Sequence, residues 1–148
     1  MTDLEIMALT VWAEARAESP NSQRAVAWVI RNRLENPGWW SRHAGDGIPD
    51  DTLAAVCRDP YQFSCWNPSD PNRSRLDNIK TRERADYQSI LKLCGAVMLA
   101  DPGTDPTQGA DHYCTSAVVR YTRWARGRKP VAVIGAHHFY KIGLSEGQ

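Results

Sequence analysis

The sequence lacks any uninterrupted apolar stretch approaching the roughly 18 residues that a membrane-spanning helix requires. It also lacks the start of a secretory leader, because Met1-Thr2-Asp3-Leu4-Glu5 carries acids where a leader carries Lys or Arg. The expectation is a chain made in a (host) cytoplasm without a signal peptide and without a membrane span. Neither sign of charge dominates: 18 Lys and Arg face 17 Asp and Glu. That balance argues against wholesale binding to nucleic acid or anionic lipid, so no specific nucleic-acid partner is expected. The four cysteines, Cys57, Cys65, Cys94 and Cys114, include no C-x-x-C pair and no zinc-like spacing. Free structural thiols are expected, and two disulfides formed after release into an oxidising space are the alternative. Internal repeats, low-complexity tracts and an interdomain linker are missing as well, so residues 1–148 are read as one domain around one core.

What is present begins with a capping box. Thr2 with Glu5 three residues on predicts a helix start, and Leu4, Met7, Ala8, Val11, Trp12 and Ala15 recur at helical spacing until Pro20 stops the pattern after Ser19. Ser19 caps a second helix with Pro20 at its first position, whose buried stripe is Ala25, Val26, Val29, Ile30 and Leu34 and whose end is Asn36-Pro37-Gly38. From Trp39 to about Arg82 the chain is rich in Gly, Pro, Asp, Asn and Ser, interrupted by a short apolar turn from Thr52 to Cys57. A loop of that length points to binding, and Trp39, Trp40, Tyr61, Phe63 and Trp66 strengthen the reading. A third helix is expected from about Arg82 to Leu99, with Ala85, Ile90, Leu91, Leu93, Cys94, Val97 and Met98 as apolar candidates, before Asp101-Pro102-Gly103 breaks it. Two extended pieces, His112 to Val119 and Val131 to Tyr140, flank a basic turn from Arg123 to Lys129 and are expected to pair. The fold class is α+β, mainly α, with a small antiparallel β element and long binding loops.

On a wheel of about 100° per residue, Glu14 and Glu18 share the side of Met7 and Val11. A carboxyl among apolar neighbours is poorly solvated when charged, so it holds its proton towards neutral pH and can deliver it to a glycosidic oxygen. The competing reading is a helix-edge carboxylate paired with Arg16, Arg31 or Arg33. Of the two, Glu18 is the more structural and Glu14 the expected acid. Gln62, Phe63 and Ser64 offer an amide, an aromatic face and a hydroxyl, the mixture a sugar needs, against the plainer reading of a packed loop with one buried Phe. Tyr113, Trp124 and Tyr140 are further substrate-binding candidates. Trp12 and Trp28 fit buried helix faces. His112, His137 and His138 raise the question of zinc, but adjacent His137 and His138 on a strand point to opposite faces. Hydrogen bonding that orients Glu14 or the substrate is the simpler role, and no metal or other cofactor is expected. The arginines and lysine of the basic turn receive no specific role.

Several blocks together resemble the SleB/CwlJ-like cell-wall hydrolases, a family of spore-cortex-lytic enzymes and related phage and bacterial proteins. The blocks are Ala13-Glu14-Ala15-Arg16 with Glu18, the helical stretch Gln23 to Arg33, Tyr61-Gln62-Phe63-Ser64-Cys65, Gly109-Ala110-Asp111-His112-Tyr113, the Trp124 region, and Ile134-Gly135-Ala136-His137-His138-Phe139-Tyr140. The resemblance implies a lysozyme-like single domain that cuts between N-acetylmuramic acid and N-acetylglucosamine, commonly as a lytic transglycosylase. It implies Glu14 as the catalytic residue and, among the histidines, His137 with Glu18 as support. Ala17, Ala136 and Cys114 depart from the family's usual glycine, asparagine and histidine.

The expected partner is therefore the peptidoglycan glycan strand, cleaved by a monomer with one carboxyl acting as acid and then base. A hydrolytic muramidase would need a second group, Glu18 or an acid of the Asp46 to Asp51 loop. A zinc amidase would enlist the histidines, and a non-catalytic wall-binding virion protein would keep the cleft without turnover. The expected setting is a phage endolysin released through a holin, or a related prophage or gene-transfer-particle lysis protein.

Overall fold

A computed structural model describes residues 1–38, 51–59 and 62–143. The expected contributions of Trp39, Trp40, Tyr61 and the acids Asp46 and Asp50 lie outside the described residues. Helix α1 (Asp3–Ala15) starts as its capping box requires: the Thr2 hydroxyl accepts from the Glu5 amide at 3.2 Å, and Glu5 Oε1 accepts from the Thr2 amide at 3.4 Å. It buries every residue from Ile6 to Trp12, together with Ala15. A helix apolar on all sides belongs in the middle of a domain. Here α1 lies against α2 (Pro20–Glu35), α3 (Leu53–Arg58) and α6 (Arg84–Leu99). The helix ends at Ala15, short of Ser19, so Glu18 stands in the following turn rather than in a last helical turn.

Ser19 caps α2 as expected, accepting from the Ser22 amide at 3.3 Å. Val26, Ala27, Trp28 and Ile30 enter the main core, while Ala25 and Val29 face a second cluster with Ala110 and Phe139 beneath the sheet. Of the segment read as one long loop, the described residues from 51 to 82 hold more regular structure than their composition suggests. They hold α3, a 3-10 turn at Ser64–Trp66, and two four-residue helices, α4 (Arg73–Leu76) and α5 (Ile79–Arg82), whose Leu76 and Ile79 reach the core. Single buried anchors in short turns leave no periodic pattern to read. The third expected helix is α6, starting at Arg84, with Arg82 closing α5; Tyr87 joins Ile90, Cys94 and Val97 on its buried face, and Ala85 is exposed.

The two extended pieces do pair, as three strands rather than two. β1 (His112–Thr115), β2 (Ala132–Ile134) and β3 (His137–Tyr140) form an antiparallel sheet in the order β1-β3-β2, with His112 opposite Tyr140 and Thr115 opposite His137. Gly135 splits the second piece: its φ of 57°, followed by Ala136 without a positive φ, is the pattern of a two-residue type II′ hairpin turn. The first piece stops at Thr115, beyond which Ser116–Tyr121 coil into a 3-10 helix. The molecule is thus α+β and mainly α. Among the described residues no helix is long and apolar enough to cross a membrane.

Candidate active site

Three consecutive side chains of α2, Arg31, Asn32 and Arg33, organise the surroundings of the cleft. Arg31 Nη1 donates to the carbonyls of Val97 and Ala100, each at 2.7 Å, and so holds the end of α6. Asn32 Nδ2 donates to Asp105 at 2.8 Å and to the Ala110 carbonyl at 2.9 Å, fixing the turn that leads into β1. Arg33 Nε donates to the Asp111 carbonyl at 2.7 Å, and its Nη1 donates to Gln62 Oε1 at 3.1 Å. The same guanidinium lies over the Phe63 ring at 5.2 Å. A single buried arginine therefore ties the loop bearing Gln62 and Phe63 to the strand bearing His112 and Tyr113. Both features suit Arg, whose planar fork can bond in two directions and stack at once.

These elements enclose a cleft of about 350 Å³, lined by Glu14, Arg33, Gln62, Phe63, Ser64, His112, Tyr113 and Trp124. Its mixed polar and aromatic wall and its size suit a small ligand such as a short stretch of sugar. Glu14 is partly buried in the last turn of α1. Burial raises its carboxyl above the ordinary value of 4.5, a hydrogen bond with the Tyr113 hydroxyl pulls the other way, and the charge of Asp70 adds to the rise. The unsatisfied carbonyls at the helix end oppose ionisation there too. Tyr113 is pushed well above its usual range, by burial first and then by the charge of Glu14, so its hydroxyl stays protonated and donates to the carboxylate.

Just before β1, Asp111 Oδ1 sits 2.8 Å from His112 Nδ1 and accepts from the Ile142 amide at 2.8 Å, while Oδ2 accepts from the Gly143 amide at 2.9 Å. Burial would raise Asp111, but the His112 and backbone bonds prevail and hold its carboxyl below the ordinary value. The resulting carboxylate fixes the His112 ring, which packs on Trp124 with centroids 4.6 Å apart.

Of the residues expected from sequence, Glu14, Gln62, Phe63, Ser64, Tyr113 and Trp124 meet in this cleft. Glu18, His137 and Tyr140 are not among its lining residues. Glu18 Oε1 approaches His137 Nδ1 to 3.3 Å, out of line for a hydrogen bond, and the His137 ring meets Tyr113 edge-on at 5.3 Å. The His137 ring thus backs Tyr113, while the charge of Glu18 is also felt directly by Glu14 and adds to the rise of its carboxyl. Tyr140 is 1% exposed and packs against Trp124 at 5.6 Å, so it backs the cleft wall where substrate contact was expected. In the sequence Arg33 is legible as a possible ion-pair partner and, like Asp111, as part of a family-like block, but the parts both play around the cleft are not. The available signal was a polar run, Arg31 to Arg33, closing a helix that is otherwise apolar on two faces. His112 and His137 engage different carboxylates, and among the described residues no three His, Cys, Asp or Glu side chains gather as a metal site.

Fold and cleft define a mainly α, α+β protein with a partly buried carboxyl, raised above its ordinary value, facing a polar and aromatic cavity. The chain belongs to the cell wall hydrolase family, whose match spans residues 17–140. It is 30% identical over 139 residues to a spore cortex-lytic enzyme of Oceanobacillus iheyensis, covering 94% of this chain and 41% of that protein. It is 28% identical over 137 residues to the spore cortex-lytic enzyme of Bacillus subtilis, covering 93% of this chain and 37% of that one. The chain therefore spans about two-fifths of the length of these curated relatives. No solved structure matches it. Glu14 lies three residues ahead of the family match, so its role rests on the cleft.

Proposed function

We propose that this chain degrades peptidoglycan by cleaving the bond between N-acetylmuramic acid and N-acetylglucosamine, as a lytic transglycosylase with Glu14 as its single catalytic carboxyl. The observation that carries the reading is the position of Glu14: a carboxyl raised by burial, hydrogen-bonded to Tyr113, at the edge of a sugar-sized cleft. In the first step protonated Glu14 gives its proton to the glycosidic oxygen as the bond to muramic C1 breaks. The carboxylate left behind then takes the proton of the muramic C6 hydroxyl as that oxygen bonds to C1, closing an anhydro ring and restoring the acid. Gln62, Ser64 and Trp124 hold the sugars, and Tyr113 holds the carboxyl. Membership in a cell wall hydrolase family supports the substrate class.

A hydrolytic outcome has its own candidate in Asp70, whose charge is felt by Glu14 and which could guide water or steady the sugar cation. The two outcomes separate on products. Purified sacculi digested by the protein are examined by mass spectrometry: anhydro-muramic ends support the transglycosylase, reducing muramic ends the muramidase, and free stem peptides without strand cleavage defeat both. Glu14→Gln is expected to abolish strand cleavage, by at least about a hundredfold, while the folded spectrum by circular dichroism is retained. Full activity in that variant would remove Glu14 from the mechanism.

A further inference from the structure

One feature is not used by the cleft chemistry. Between His112 and Gly143 the chain carries Arg120, Arg123, Arg126, Arg128, Lys129 and Lys141 and no Asp or Glu, although the whole sequence is nearly neutral. Arg120, Arg123, Arg126 and Lys129 are exposed. Among the described residues no carboxylate forms an ion pair with Arg123, Arg126 or Lys129. Tyr121 stands 71% exposed beside them, with the Arg120 guanidinium 4.7 Å over its ring. The segment is built, not trailing: Ala125 is fully buried, the Ala125 and Arg126 amides both donate to the Thr122 carbonyl, and Arg128 donates to the Ala125 carbonyl. Its Trp124 lines the cleft, so the exposed cations belong to the segment that supplies that part of the wall, with Arg123 directly before Trp124 and Arg126 two residues after it.

From this arrangement we infer a second binding site, built by Arg123, Arg126 and Lys129, for the carboxylates of the stem peptides that project from a glycan strand lying in the cleft. The inference rests on the reading of the cleft as a peptidoglycan site. A muramic residue held against Trp124 carries its lactyl-linked peptide outward from the sugar, and the acidic side chains and terminus of that peptide then meet Arg123, Arg126 and Lys129, which no carboxylate among the described residues pairs with. Arginine suits the task because its fork pairs with carboxylates in two bonds. Such a site selects peptide-bearing strands over bare ones and acts on binding rather than on the chemical step.

The test uses the full chain carrying Glu14→Gln, so that strands are bound without being cut. Binding is measured by calorimetry to soluble glycan strands that keep their stem peptides and to the same strands after amidase stripping. The expected result is a preference of about tenfold for stem-bearing strands, which three exposed charge pairs can supply and which weakens with salt. Adding Arg123→Glu, Arg126→Glu and Lys129→Glu should bring the ratio of the two Kd values near one. The neutral triple Arg123→Gln, Arg126→Gln and Lys129→Gln should lower it partway, and it serves if reversal disturbs the turn. An unchanged ratio in both triple variants, or equal affinity of the parent for both strands, overturns the site. Tighter retention on random-sequence duplex DNA, or on sacculi only while their wall phosphate polymers remain, assigns the patch elsewhere and overturns it too. No binding to either strand defeats the reading of the cleft itself, a different failure from a lost preference.

Discussion

At the scale of single residues, Glu14 is placed where chemistry and stability disagree. Its carboxyl is raised above 4.5 in the folded chain by burial, so between the unfolded and folded values the native state binds more protons than the unfolded one. Stability is then fully present below the unfolded value and falls as pH rises through the folded one. Glu14→Gln removes a group that must ionise in a poor environment. The variant should gain on the order of 1 kcal/mol at pH 7, or roughly 2–4 °C in Tm for a chain of this size, with the gain vanishing near pH 4. Thermal unfolding across that range checks it, and a variant less stable at neutral pH would contradict the account. Tyr113 offers the complementary test. Its hydroxyl donates to the Glu14 carboxylate and lowers the acid's pKa against the effect of burial. Tyr113→Phe should therefore move the alkaline limb of the pH–rate profile upward, because Glu14 stays protonated to higher pH. A lost hydrogen bond to a charged group is worth roughly 1.5–3 kcal/mol, so kcat should fall about tenfold or more. A lower kcat with an unmoved limb would leave Tyr113 as a substrate contact alone.

At the scale of elements, the site depends on how short strands and helix ends are pinned. Arg33 and Asn32 hold the approach to β1 from α2, and the β2–β3 hairpin brings His137 behind Tyr113. That hairpin turns at Gly135, whose φ is 57° and at which an added Cβ would lie 2.7 Å from Ser22 Oγ in α2. Gly135→Ala should cost about 1–2 kcal/mol from the backbone conformation alone, and more from the overlap. Pairing it with Ser22→Ala should recover the overlap and leave the backbone cost, which chemical denaturation of the two variants can separate. Ala136, by contrast, needs no special conformation, so the departure from the family's asparagine is accommodated by this turn. The helices were legible in the sequence: Thr2 and Ser19 cap where hydroxyls can reach free amides, and Pro20 both ends one pattern and opens the next. The helices α4 and α5 were not, because four residues with one buried anchor each show no period.

At the scale of the whole molecule, the core keeps its sulfur reduced and inaccessible. Cys57, Cys65 and Cys94 are buried free thiols, each pushed up to about 12 by burial, and Cys114 is half-buried and raised less. Thiols so placed are poor nucleophiles at neutral pH. Alkylation of the native protein at pH 8 should mark Cys114 slowly and the other three only after unfolding, and a reductant should leave Tm unchanged. Rapid labelling of Cys57, or a Tm that drops with reductant, would overturn this picture of the core.

The sequence by itself determined the class of fold, the two long N-terminal helices, the pairing of the C-terminal pieces, and Glu14 with Gln62, Phe63, Ser64, Tyr113 and Trp124 as a set. Those features follow from local rules, periodicity and caps, or from residue blocks whose order along the chain resembles a family. Only the tertiary structure shows why Glu14, and not Glu18, lines the cleft. Glu14 and Glu18 are one helical turn apart and equivalent on a wheel, but α1 stops at Ala15 and leaves Glu18 beside His137. Only packing could turn Arg33, Asp111 and Tyr140 into supports of a single wall, because burial is fixed by neighbours distant in sequence. A carboxyl's proton affinity depends on those same neighbours, and no spacing along the chain reveals them.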